Sequence, residues 1–356
     1  MQLSLQRHDL HLRQAFTIAR NSTTVRATSI VALADGEGQV GYGEVSGNQY
    51  YTQANPPAVA ATLAGLREVL DGADPDDPAA LFAACEPRVD GNYFALSALD
   101  MAAHDLTARR AGRPLYAQWG YAWPADAVAL PVSNYTLSIG APEAVLAQAV
   151  RNSWPSYKVK LGGGEQDLPT VELLRRELPA VTRLCVDANA GWDAEEAYAK
   201  TCRLAELGLA FVEQPLARGA REATARLRDR LRATLGADAP PLVADEDCQT
   251  ERDVAACAGA FDVVNVKLSK CGGPTPARRM VAEARRLGLG VMFGCMIESS
   301  VAIGVLRHFA PVADFVDLDG HLLIDNDVAT GIRFRADGRP ERPGGVGSGI
   351  ALASGR

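Results

Sequence analysis

Two textures of hydrophobic patterning divide the chain. Over residues 1–45 apolar and polar positions alternate, as in Ser29-Ile30-Val31-Ala32-Leu33. A turn follows at Asp35-Gly36-Glu37-Gly38, and Val40-Gly41-Tyr42-Gly43 resumes the rhythm. A period of two interrupted by a glycine-rich turn predicts antiparallel strands. Helical stretches come next at Pro57–Leu70 and Phe94–Arg110, the second halted by Gly112 and Pro114. Strands followed by helices predict a small α+β domain over residues 1–125.

From residue 126 the pattern becomes a repeat. Short apolar runs, each followed by a helix-like segment, occur at Val128–Val132, Tyr157–Leu161, Arg183–Val186, Ala210–Val212, Leu242–Ala244, Val263–Val266, Gly290–Phe293 and Asp314–Val316. Their ends carry Lys160, Asp187, Glu213, Asp245, Lys267, Gly294 and Asp317, at successive spacings of 22 to 32 residues. That spacing suits one strand, one helix and two loops, and eight such units predict an α/β fold of the (β/α)₈ TIM-barrel type over residues 126–320. The segment 321–356 breaks the rhythm, and it is expected to return to the first domain and complete it.

Composition narrows the partners. A net charge of −7 and a pI near 5.4 disfavour nucleic acid, which needs a basic surface. No apolar run is long enough to span a membrane, and Met1–Phe16, with His8, Asp9, His11 and Arg13, lacks the apolar centre of a signal peptide. Seven scattered cysteines without a CxxC pair fit a reduced, cytoplasmic protein. Five histidines without an HxH or HExxH pair argue against a histidine-ligated zinc hydrolase.

Polar residues at the C-terminal ends of barrel strands converge on one site. Asp187, Glu213 and Asp245 end three consecutive strands, a set that suits a hard divalent cation such as Mg²⁺. Lys158 and Lys160, two apart on a strand, share a face. Mutual repulsion and burial are expected to lower their pKa from ~10.4 toward ~7–8, where a lysine can act as a base. Lys267 ends the sixth strand, across the barrel from the second. A cation between opposed lysines suits removing a proton beside a carboxylate and returning one to the other face, a combination that general enzymology already associates with enolase-type sites. Asp317 and Asp319, on one face of the last strand, could grip a substrate ammonium group. Gly162-Gly163-Gly164 and Gly272-Gly273 are read as tight turns before they are read as phosphate loops.

At these residues the chain resembles the enolase superfamily, in its muconate-lactonizing subgroup, and within that the dipeptide epimerases. The resemblance runs almost end to end. It is carried by Lys158-Val159-Lys160, Val186-Asp187-Ala188-Asn189, Val212-Glu213-Gln214-Pro215, Ala244-Asp245-Glu246 and Asn265-Val266-Lys267-Leu268 before Gly272-Gly273. Gly294-Cys295-Met296-Ile297-Glu298-Ser299 and Asp317-Leu318-Asp319 add to it.

The resemblance implies that Asp187, Glu213 and Asp245 bind one Mg²⁺ per subunit. Lys160 and Lys267 would be the acid/base pair, and Lys158 would support Lys160 and the substrate carboxylate. The substrate would be an L,L-dipeptide, inverted at the α-carbon of its C-terminal residue by two-base proton transfer through a metal-stabilised enolate. Asp317 and Asp319 would hold its ammonium group, with Thr136, Cys295 and Ile297 nearby. The first domain would cap the barrel with loops Phe16–Ser22 and Gly47–Thr52. Arg20 would meet an acidic side chain, as in Ala-Glu epimerases. Homo-oligomers are the family's habit. N-acylamino acid racemases, o-succinylbenzoate synthases and muconate cycloisomerases would use the same cation and lysines, but need no paired aspartates. A Schiff-base aldolase would use one lysine and no metal.

Overall fold

The computed structural model describes residues 1–18, 21–162 and 164–353. Strands β1 (Gln2–Ile18), β2 (Asn21–Ala34) and β3 (Val40–Ser46) form an antiparallel sheet in the order β1-β2-β3. The turn between β2 and β3 lies where the alternation breaks. Asp35 Oδ1 accepts from the backbone N–H groups of Glu37 (2.7 Å) and Gln39 (3.1 Å), while Gly36 and Gly38 take φ values of 84° and 101°.

A helix at Tyr93–Arg110 packs across this sheet and is buried over most of its length. Its close approach needs Gly41 and Gly43: a Cβ on either would fall 2.1 Å from the Ala102 carbonyl oxygen or 2.0 Å from that of Ala98. The helix expected over Pro57–Leu70 is two helices, Pro56–Ala64 and Arg67–Asp71. Gly65, a poor helix former, caps the first, and Leu63, Leu66 and Leu70 are all buried in the core.

Eight parallel strands follow: β4 (Tyr135–Leu137), β5 (Ser156–Lys160), β6 (Arg183–Asp187), β7 (Val212–Glu213), β8 (Leu242–Ala244), β9 (Val263–Val266), β10 (Gly290–Phe293) and β11 (Phe315–Val316). Each pairs with its neighbour in sequence order. A parallel bridge between Ser133 and Val316, with Asn134 N–H donating to the Val316 carbonyl at 3.1 Å, joins the last strand to the first. The result is a TIM-type barrel.

The first barrel strand is not Val128–Val132. Val128 is 68% exposed in a short 3-10 turn, and the ladder begins at Tyr135, whose side chain is buried with those of Thr136 and Leu137. The run at 128–132 is apolar enough to be a strand, but among the described residues it pairs with no neighbour.

The two halves are tied by buried carboxylates. Glu44 of β3 accepts from Ser299 N (3.0 Å), Ser299 Oγ (2.5 Å) and Ala302 N (3.1 Å), at the start of barrel helix Ser300–Leu306. Asp100, on the long helix, accepts from Thr275 N (2.7 Å) and Oγ1 (2.8 Å), at the start of barrel helix Pro274–Arg286. Helix N-termini offer unpaired N–H groups and positive potential, which suits both anions.

The C-terminal segment makes contacts with the first sheet and the long helix. Asn326 Nδ2 donates to the Asp9 carbonyl of β1 at 2.8 Å, and Ser348 N–H donates to Asp105 of the long helix at 2.6 Å. Among the described residues no helix is long and apolar enough to cross a membrane.

Candidate active site

Register sets the chemistry at the C-terminal mouth of the barrel. Lys160 is paired with Asp187 across β5 and β6, and Asp187 with Glu213 across β6 and β7; Asp245 follows the last residue of β8. Asp187, Glu213 and Asp245 are buried and present carboxylate oxygens within 4.8 Å of one another. Three buried carboxylates converging with hard oxygen donors fit a divalent cation of the Mg²⁺ class.

Each of these carboxylates has its two oxygens met by two different residues. Asp187 accepts at Oδ1 from the Asn189 N–H (2.8 Å) and at Oδ2 from Lys160 Nζ (2.5 Å). Glu213 accepts at Oε1 from Asn265 Nδ2 (2.8 Å) and at Oε2 from Lys158 Nζ (3.1 Å). Asp245 accepts at Oδ1 from Lys270 Nζ (2.5 Å) and at Oδ2 from Lys267 Nζ (2.9 Å).

The backbone around the ligands is unusual. Asn189, Ala190 and Gln214 hold φ values of 46°, 60° and 36°, a left-handed conformation that costs a side-chain-bearing residue about 1–3 kcal/mol. Gln214 justifies its conformation locally. Its Oε1 accepts from the N–H groups of Asp245 (3.0 Å) and Asp247 (3.2 Å), so the loop after β7 positions the carboxylate after β8.

A cavity of about 530 Å³ opens above the trio. Thr136, Lys158, Lys160, Lys267, Asp317 and Asp319 line it, and so do Cys295 and Ile297. The sequence-predicted residues therefore converge, with one exception: Arg20 lies outside the described residues. From the first sheet and its loops, Phe16, Arg26, Ser46, Asn48 and Tyr50 reach the same cavity.

The paired aspartates are not equivalent. Asp317 receives Asn134 Nδ2 at 2.8 Å and is in a very short contact with Lys158 Nζ. Among the described residues Asp319 is held by neutral donors, the Thr136 N–H at 2.7 Å and the Cys295 thiol at 3.6 Å. Burial, then the neighbouring Asp317 charge, raises the Asp319 pKa.

The expected lowering of the pKa is not found at Lys158. Burial does push Lys158 down, but Asp317 and Glu213 outweigh it and hold the group well above its ordinary value. Lys267 is raised in the same way by Asp245 and Glu213. The carboxylates that sequence reasoning assigned to a cation dominate the lysines' mutual repulsion. Asp245 shows the reciprocal effect: burial would raise it, yet Lys267 and Lys270 pull it far below the usual carboxylate range.

Sequence reasoning missed Lys270, Asn265, Glu246 and Arg26. Lys270 was findable, because it sits three residues after Lys267 on the short helix Leu268–Cys271, hence on the same side. Asn265 was findable by strand alternation with Lys267. Glu246, raised to about 7 by burial and the Asp245 charge, and Arg26 carried no signal beyond a charged residue in a plausible place.

Comparisons with known proteins agree with this geometry. Residues 3–120 match the family described as mandelate racemase / muconate lactonizing enzyme, N-terminal domain, and residues 143–355 match the one described as enolase C-terminal domain-like. The chain is 38% identical over 352 residues to an L-Ala-D/L-amino acid epimerase of Flavobacterium johnsoniae, covering 99% of this chain and 100% of that one. Among solved structures it is similar to a substrate-liganded L-Ala-D/L-Glu epimerase from Bacillus subtilis, with a TM-score of 0.90, 26% identity and 99% of each chain covered. It is also similar to a dipeptide epimerase from Cytophaga hutchinsonii complexed with Mg and D-Ala-L-Val, with a TM-score of 0.90, 27% identity, and 99% and 95% coverage. Both halves of the fold and the trio at its centre thus lead to one assignment: this chain belongs to the mandelate racemase / muconate lactonizing family of the enolase superfamily.

Proposed function

We propose that this protein is a dipeptide epimerase that inverts the α-carbon of the C-terminal residue of an L,L-dipeptide by two-base proton transfer. The observation that carries the reading is the placement of Lys160 and Lys267 at the ends of β5 and β9, four strands apart in a closed ring of eight, over one buried carboxylate trio. Asp187, Glu213 and Asp245 would hold one Mg²⁺ per chain, whose positive charge would make a C–H next to a carboxylate easier to break.

The remaining work falls to side chains. One lysine, as the free amine, takes the α-proton from its face and becomes an ammonium. The other, already protonated, delivers a proton to the opposite face and becomes the amine. Lys158, fixed between Glu213 and Asp317, holds a positive charge near the reacting carboxylate. Of the aspartate pair, Asp319 makes no direct ion pair among the described residues, so the substrate ammonium falls chiefly to it. That contact is what separates a dipeptide from an N-acylated amino acid.

Arg26 is the one charged side chain that the first 125 residues bring to the cavity, among the described residues, and no carboxylate pairs with it there. It supports a substrate with an acidic side chain, of the Ala-Glu type. In this reading residues 1–125 cap the site, 126–320 supply the chemistry, and 321–356 bind the cap back to the barrel; the working protein is a homo-oligomer.

Deuterium incorporation tests the proposal. The protein with Mg²⁺ in D₂O should add one deuterium to L-Ala-L-Glu and related dipeptides, read by mass spectrometry. Incorporation into N-acyl amino acids with none into dipeptides would move the function to the racemase branch.

A further inference from the structure

Lys270 is buried, bound to the same carboxylate as Lys267, and unassigned by the two-base mechanism. Its contacts differ from those of Lys267 in kind. Lys267 makes one hydrogen bond to Asp245, at Oδ2 (2.9 Å). Lys270 makes two: to Oδ1 (2.5 Å) and to the Asp245 backbone carbonyl (2.7 Å). A donor that bridges the backbone and side chain of one residue fixes that side chain's rotamer. The second anchor is an uncharged carbonyl, so it survives whatever else binds the carboxylate.

The other two members of the trio repeat the arrangement. Asp187 and Glu213 each have one oxygen tied by a group with no mobile charge, the Asn189 N–H and Asn265 Nδ2, and the other met by a lysine, Lys160 and Lys158 respectively. Among the described residues no backbone or amide group plays the tying part at Asp245. Lys270 stands in its place.

We propose that Lys270 is a positioning residue for Asp245. It fixes Oδ1 and leaves Oδ2, held by Lys267 alone, as the oxygen given to the divalent cation. Lys267 and the cation then compete for one oxygen, whereas Lys270 and the cation do not. Orienting partners of metal ligands commonly govern affinity by about 10–100-fold.

The two lysines make opposite predictions, and that separates positioning from charge. Removing any buried ammonium beside the trio should, by electrostatics alone, tighten divalent binding. Mn²⁺ binding, followed by loss of the free-ion electron paramagnetic signal, is measured for the native chain, Lys267→Met, Lys270→Met and Lys270→Gln, with unfolding midpoints taken alongside. Lys267→Met should bind Mn²⁺ more tightly than the native chain, and Lys270→Met at least about tenfold more weakly. Lys270→Gln, which keeps an N–H donor without the charge, should bind no more tightly than the native chain; this variant decides the matter if Lys270→Met does not fold. Tighter binding by Lys270→Met or Lys270→Gln, matching Lys267→Met, would overturn the proposal and leave Lys270 a mere counter-charge. The readout needs no substrate, so it stands or falls apart from the epimerase reading.

Discussion

Lys158 and Lys160 are two residues apart on one strand, yet their surroundings separate their roles. Lys158 is shared between two carboxylates, whereas Lys160 reaches Asp187 alone, leaving a side chain that can exchange its partner for a substrate proton. Lys160→Ala should therefore cut deuterium exchange by about 10²–10⁴-fold, the usual worth of a general base, while Mn²⁺ binding persists. Retained exchange would remove Lys160 from the acid/base pair. Asp319 makes a second, sharper prediction. A charged hydrogen bond is worth about 1.5–3 kcal/mol, so Asp319→Asn should lower kcat/KM for a free dipeptide roughly 10–100-fold more than for its N-acetyl counterpart. Equal losses on both substrates would show that Asp319 does not meet the ammonium group.

Among elements, the contact between β3 and the helix Tyr93–Arg110 sets how closely the cap can be built. The helix backbone lies where Cβ atoms at residues 41 and 43 would be, so the glycines are required by approach rather than by turn geometry. Gly43→Ala should destabilise the chain by about 1–3 kcal/mol or more, the cost of overpacking a closed interface. Gly72→Ala is the control, because a Cβ there meets nothing within 4 Å and φ is −107°. A urea midpoint that falls for Gly43→Ala and holds for Gly72→Ala is expected; equal shifts would refute the packing argument. Glu44 and Asp100 add direction to this fit, since each enters the N-terminus of a different barrel helix.

The molecule as a whole carries buried histidines far from the site. His104 accepts the Trp119 indole N–H at Nδ1 (3.1 Å), and His308 accepts the Tyr116 N–H at Nδ1 (3.1 Å), which keeps both rings neutral. Burial lowers each to about 3. Their folded values lie below that of free imidazole, so the unfolded chain binds protons that the folded one refuses. Their contribution is full above about pH 6.5 and is lost as the pH falls toward the folded value, at up to ~1.4 kcal/mol per unit for each ring. Asp100, pushed up to about 7 by burial, acts in the opposite sense: its contribution is full below about pH 4 and is lost as the pH rises through 7. Subtraction isolates one ring. Between pH 7 and 5 the change in unfolding free energy for His308→Gln should be about 2 kcal/mol less unfavourable than for the native chain. Identical changes would mean that His308 takes up its proton in the folded state.

The barrel, its trio of carboxylates and its opposed lysines were legible along the chain, because a strand's direction and period place every strand-end residue at one mouth. Val128–Val132 misled for the same reason: apolar character marks what can be buried, while pairing depends on a neighbour elsewhere in the chain. The sequence alone brought the carboxylate trio and the lysines at the ends of β5 and β9 to one mouth. Only the tertiary structure decided how: which oxygen of Asp245 faces Lys267 and which Lys270, that Lys158 rests on Asp317, and that carboxylates raise the pKa of Lys158 and Lys267. Those outcomes turn on distances between residues 22 to 159 positions apart, where a fraction of an ångström chooses between repulsion and pairing.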